Sequence, residues 1–165
     1  MMIVLYILIG LLALIIILGL VAPKNYEANR SIIIQRPIAE VFQYLKFLKN
    51  QDEWSPWKKK DPDMEQYYKG TDGELGFVAG WKGNKDVGEG EQELINIVEN
   101  VAIDSQLRFF KPWKSQSIGH FVTDKVDEDK TMVTWGFSGR NPFPFNIFML
   151  FFNFEKPWAK TSKKG

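Results

Sequence analysis

Three carboxylates recur at every second position, Glu89, Glu91 and Glu93. On a strand that spacing puts all three on one face. Neighbouring carboxylates do acid–base work when burial raises the pKa of one of them. Three in register on a hairpin more often form a wet edge, and that is the expectation for this run. The chain has one His, His120, and no Cys. Thiol catalysis, disulfides and Cys-ligated metals are thereby excluded. A serine nucleophile would need His120 as its base. His120 alternates with Ile118 and Val122, opposite Phe121 and Thr123, a strand position where a lone His is more often structural than catalytic. A zinc site would have to combine His120 with carboxylates that lack any ligand spacing. Gly88-Glu89-Gly90 is not a phosphate loop, because no Gly-Lys-Ser/Thr follows. No catalytic residue, metal or cofactor is expected.

The aromatic residues are the better site candidates. They make up 15% of the chain, with thirteen Phe and six Trp, which suits a large apolar cavity. Trp81, Phe109, Phe121, Trp135, Phe137, Phe145, Phe148 and Phe152 are the residues expected to line it. The competing reading is that they fill a solid core, since aromatic side chains bury large areas wherever they sit. Arg108 and Lys82 are candidates for a ligand's polar head, set against the simpler reading of exposed strand cations. The formal net charge of +1 implies no electrostatic attraction to nucleic acid.

Two apolar stretches frame these residues. Met1 to Ala22 carries no charged side chain. At the helical rise it spans roughly 33 Å, against a hydrocarbon core of about 30 Å. It reads as a single transmembrane anchor. A cleaved secretory signal is the rival, but the run exceeds an h-region and no Lys or Arg precedes it. Lys24 and Arg30 follow the span, so the positive-inside rule places the domain on the cytoplasmic side. Residues 23–29 form a short linker and the start of the first strand, and residues 30–165 the globular domain. The second stretch, Asn141 to Trp158, holds six of the thirteen Phe. Pro142 and Pro144 stand ahead of its apolar run, where proline suits the first turn of a helix. A helix this apolar must be gripped by a concave apolar surface or by lipid.

Between them the chain reads as follows. Tyr26 to Gln35 is a strand centred on Ile32-Ile33-Ile34. Ile38, Val41, Phe42 and Leu45 form one helical stripe after Pro37. A second short helix ends near Ser55-Pro56, and residues 58–63 form a polar loop. Six strands follow between turn signals: 64–69, 77–82, 87–99, 102–110, 116–126 and 130–138. A bulge is expected at Gly88 or Gly90. The alternation of Ser105, Leu107 and Phe109 with Asp104, Gln106 and Arg108 marks an antiparallel sheet with one dry face. The class is α+β, with helices on one face of the sheet.

In this order the chain resembles the helix-grip fold of the SRPBCC superfamily, which includes START-like, polyketide cyclase and Bet v 1-like proteins. The closer resemblance is to its membrane-anchored bacterial polyketide cyclase/dehydrase-like branch. It is carried by the span with Pro23-Lys24, Arg30-Ser31-Ile32, Pro37 with Glu40-Val41-Phe42, and Trp54-Ser55-Pro56-Trp57 with Asp61-Pro62-Asp63-Met64. It continues through Trp81-Lys82-Gly83-Asn84, Gly88-Glu89-Gly90, Lys111-Pro112-Trp113, Val133-Thr134-Trp135 and Asn141-Pro142-Phe143-Pro144-Phe145 to Glu155-Lys156. The resemblance implies a curved antiparallel sheet around a C-terminal helix, with an apolar cavity between them for a lipid or other hydrophobic small molecule. In this chain Pro157 interrupts that helix near Lys156, which would leave one end of the cavity less covered. The expected function is a membrane-anchored domain that binds such a ligand. A cyclase- or dehydratase-like enzyme and a protein-interaction module with a filled core are the alternatives.

Overall fold

A computed structural model describes residues 2–150. Its elements run α1 (Met2–Val21), β1 (Asn25–Ile34), α2 (Ile38–Lys46), a 3-10 turn (Leu48–Asn50), α3 (Gln51–Trp54), α4 (Pro56–Lys60), and strands β2 (Glu65–Lys69), β3 (Val78–Lys82), β4 (Glu89–Val98), β5 (Ala102–Lys111), β6 (Ser115–Asp127) and β7 (Lys130–Arg140). A second 3-10 helix, Phe145–Leu150, ends the described chain. The strands form one seven-stranded sheet in the order β1-β7-β6-β5-β4-β3-β2. The architecture is α+β. Two compact units divide it, Asn29–Ser138 on one hand and the two terminal segments, up to Ala28 and from Gly139, on the other.

The central unit gets its bend from two irregularities in the β4–β5 ladder, between Glu89 and Gly90 and between Leu94 and Asn96. The first falls where the glycines suggest a bulge. There Glu89 pairs with Lys111 and Gly90 with Phe109, so the unpaired residue is Phe110 on β5. Gly88 next to it has φ +75°, and a Cβ there would collide with the Lys111 carbonyl. The second leaves Ile95 unpaired, which shifts the alternation by one residue. Leu94 and Ile97 therefore both reach the core, although they are three apart. Bulges of this kind bend a strand and sharpen its twist.

The core lies at one end of the sheet's inner face. Val41, Phe42 and Leu45, the apolar stripe of α2, pack with Leu48, Phe77, Leu94, Ile103, Phe121 and Val133. Phe42 and Leu94 are fully enclosed.

The segment between α2 and β2 differs from expectation. Residues 58–60 belong to α4, not to a loop. Pro56 does end α3, but it also occupies the first turn of α4, where its missing N–H costs nothing. Ser55 caps that turn by accepting from Trp57 N. One Ser-Pro step closes one helix and opens the next.

In the terminal unit, α1 is uncharged and long enough to cross a membrane, a property it shares with signal sequences. Its C-terminal end is tied down from the other end of the chain. Asn146, wholly buried, donates from Nδ2 to the carbonyls of Gly19 (2.7 Å) and Ala22 (3.1 Å). These belong to the last turn of a helix, where carbonyls lack intrahelical donors. The Phe143 ring lies on Gly19, in the space a Cβ would fill. Asn141 N also donates to Lys24 O (2.8 Å). Of the Phe-rich helix expected from Asn141 to Trp158, the described part is the 3-10 helix Phe145–Leu150; the remainder, with Phe152 and Pro157, lies outside the described residues.

Candidate functional site

Beside the core, the inner face of the sheet opens into a cavity of about 420 Å³. The cause is the choice of small side chains at positions that face inward. Opposed residues run Trp81–Gly90–Phe109–Ser115 in one row and Ala79–Gln92–Leu107–Ser117 in the next. Ser105 pairs with Gly119 beyond them. Of the small residues in these rows, Ala79, Ser105 and Gly119 line the cavity, where the sheet leaves room that its own side chains do not fill. Gly90 is needed for a second reason. A Cβ there would come within 2.5 Å of Trp81 Cζ2 and 2.6 Å of the Arg108 carbonyl, so glycine lets the indole cross the strand.

The opposite wall comes from the short helices. Trp54, Pro56 and Trp57 line it, and Trp57 is half exposed at 52%. Trp54 meets the Phe121 ring edge-on with centroids 6.2 Å apart, and Trp81 meets Phe109 in the same manner at 5.9 Å. Edge-to-face pairs of this kind hold rings in fixed orientations.

Of the aromatic candidates, Trp81, Phe109, Phe121 and Trp135 line the cavity. Phe137 stands two residues along β7 from Trp135, their rings 6.5 Å apart, and is not part of the lining. Phe145 and Phe148 belong to the terminal unit and are 62% and 59% exposed.

The polar groups at the cavity fall into two sets. At one wall, Asp52 on α3 accepts from Gln66 Nε2 (2.9 Å), and Gln66 Oε1 accepts from Lys58 Nζ (3.0 Å). Tyr68 joins through its hydroxyl. Burial pushes the Tyr68 phenol above its ordinary value, and the nearby Asp52 charge and a hydrogen bond to it push the same way. Deep in the sheet, Gln92 Nε2 donates to Ser105 Oγ (3.1 Å), and Ser105 is 2% exposed. Reading the sequence singles out none of these six residues as part of a site. The one signal available is the inward register of Gln66, Gln92 and Ser105 on strands whose alternation is visible.

Of the other chemical candidates, His120 belongs to the cavity lining and the rest are held elsewhere. Glu91 and Glu93 flank Arg108, which bonds both, the first at 2.8 Å. Glu89 pairs with Lys111 at 2.6 Å. The run is therefore no wet edge: β4 sits inside the sheet between β3 and β5, and the three carboxylates are each less than a third exposed. The two carboxylates hold the Arg108 guanidinium above its ordinary pKa. Lys82 reaches Glu65 at 3.9 Å, both exposed. His120 Nε2 lies 2.8 Å from Asn29 Oδ1.

A curved antiparallel sheet with helices over its inner face and a cavity beneath them is a helix-grip fold. Solved structures agree. Norcoclaurine synthase from Thalictrum flavum, in complex with dopamine and hydroxybenzaldehyde, superposes with a TM-score of 0.59 at 9% identity, covering 83% of this chain and 82% of that one. A protein from Nitrosospira multiformis gives 0.53 at 18% identity, covering 70% and 79%. The Aha1 dimer from Colwellia psychrerythraea gives 0.50 at 16%, covering 72% and 79%. At these identities the likeness is one of fold. No protein-family model and no curated sequence matches the chain.

Proposed function

We propose that this protein is a membrane-anchored helix-grip domain that binds a hydrophobic small molecule or lipid in the cavity of its central unit. The observation that carries the reading is the cavity itself. Its volume of about 420 Å³ lies within the roughly 300–1,000 Å³ typical of small-molecule sites. Its walls are mostly aromatic and aliphatic, with a few convergent polar groups. The same fold in norcoclaurine synthase holds dopamine and hydroxybenzaldehyde, which supports small-molecule binding as a use of such a cavity.

The anchor reading rests on Met2–Val21, twenty residues long and without a charge. Asp52 and Gln66 are bonded to each other, as are Gln92 and Ser105, and no Ser–His hydrogen bond joins the described residues that line the cavity, so binding is favoured over catalysis.

The test is native mass spectrometry with lipid extraction on the full chain, isolated in polymer-bounded membrane discs. A hydrophobic species at fixed stoichiometry, lost from a variant with a filled cavity, supports the reading. An empty protein that also takes up no fluorescent lipid refutes it.

A further inference from the structure

The cavity's polar groups select a head group. Among the described residues that line the cavity, Asp52 is the one acidic or basic side chain, His120 aside. Asp52 accepts from Gln66 Nε2, and Gln66 Oε1 accepts from Lys58. His120 is held by Asn29. The Lys58 ammonium bonds Gln66 and the His120 ring bonds Asn29, so neither group is bonded to Gln92 or Ser105.

The pair of half-buried Gln92 and buried Ser105 is different. Its internal hydrogen bond uses one amide N–H and one lone pair of the serine oxygen. That leaves the Gln92 carbonyl oxygen as an acceptor and the Ser105 O–H as a donor. One donor beside one acceptor matches a hydroxyl group, which needs both. Leu107 and Phe109 on the same strand, and Phe121 on β6, offer only apolar surface around the pair. A buried ion there would lose its hydration without a counter-charge, which costs far more than an unpaired neutral group.

We infer that the cavity takes an uncharged, largely apolar molecule carrying a hydroxyl group, which accepts a hydrogen bond from Ser105 and donates one to Gln92. This rests on the cavity being a binding site, as proposed above. The hydroxyl sits at the sheet, and the apolar body extends toward Trp54 and Trp57.

The experiment titrates the full chain in lipid nanodiscs with four probes of one shape, using empty nanodiscs as the blank. The probes are naphthalene, 2-naphthol, 2-naphthoate and 2-naphthylmethylammonium, and the readout is isothermal calorimetry. Naphthol is expected to bind roughly 3- to 10-fold more tightly than naphthalene, the range of a net hydrogen bond. Both ions are expected to bind at least about 10-fold more weakly than naphthol. In Gln92→Leu the naphthol advantage over naphthalene should vanish. Ser105→Ala should reduce the advantage as well, and it decides the matter alone if the first variant does not fold. Naphthoate or the ammonium probe binding as tightly as naphthol would overturn the inference. So would a naphthol advantage that survives Ser105→Ala and Gln92→Leu. Binding of none of the four would remove the cavity reading itself, an outcome distinct from binding without head-group preference.

Discussion

Ala79→Leu separates a true cavity from a filled core. Ala79 is on β3, faces Gln92 across the ladder, and lines the cavity. The substitution adds three carbon atoms on the cavity side and removes no hydrogen bond. If they enter empty space, each contributes about 0.8 kcal/mol of burial, some 2.4 kcal/mol at most. Fixing the longer side chain costs roughly 0.5–1 kcal/mol in rotamer entropy. Partial exposure at the mouth reduces the gain further. The expected result is a change between zero and about 1.5 kcal/mol of stabilisation. If instead the aromatic residues packed solid, the same atoms would force neighbours off their rotamers, at a cost of about 1–3 kcal/mol. The two accounts thus differ in sign. The assay is urea unfolding of the full chain in nanodiscs, followed by tryptophan fluorescence, with the slope checked for constancy between variants. In parallel, the hydrophobic species retained by the wild type should be reduced or absent in the variant. A destabilisation beyond about 1 kcal/mol, the sign and size that overpacking gives, or full retention of the species, would refute the reasoning.

Three further outcomes follow from the geometry. Arg108→Met leaves Glu91 and Glu93 facing each other without their shared cation; with the guanidinium partly exposed, a loss of about 2 kcal/mol is expected in urea unfolding, and adding Glu91→Gln and Glu93→Gln should recover most of it. Asn146→Leu deprives the Gly19 and Ala22 carbonyls of their donor; a loss of about 1–3 kcal/mol of local stability is expected, read as faster amide exchange at Asn146 and Ile147, with exchange in β4 and β5 unchanged. The Tyr68 phenol is raised above its ordinary value by burial first and by Asp52 second, so its contribution to stability is complete below the unfolded value of about 10 and is lost as pH rises through the folded value. The Tyr44 and Tyr67 phenols are raised as well, so an ultraviolet phenolate titration should show a late-ionising component that loses one phenol's amplitude in Tyr68→Phe and in part moves down in Asp52→Asn; an undiminished component in Tyr68→Phe would reject the assignment.

Local patterns in the sequence are sufficient for the elements. The stripe Ile38, Val41, Phe42 and Leu45 specifies α2 and its buried face because a helix repeats every 3.6 residues. The alternation in β5 and the hairpin at Asp127-Glu128-Asp129 specify strands and their order for the equivalent reason. The uncharged length of Met1 to Ala22 fixes a helix of membrane-spanning size. Ser55-Pro56 reads as a stop and not also as a start, because the same two residues serve both ends and only the cap on Trp57 N distinguishes them.

What the chain does not disclose on its own is which residues meet across strands. The bulge at Ile95 moves Leu94 and Ile97 onto one face, a shift invisible to a period of two. Registry sets Ser105 beside Gly119 and Ala79 beside Gln92, and it is this adjacency of small residues that leaves a cavity. The cluster of Asp52, Lys58, Gln66 and Tyr68 brings α3, α4 and β2 together from separate parts of the chain. The Glu89–Glu93 run reads as a wet edge until β5 supplies Arg108 and Lys111. Spacing along the chain determines local periodicity, and hence the elements and the apolar span; contacts between residues far apart in sequence depend on register, bulges and loop closure, which only the folded structure decides.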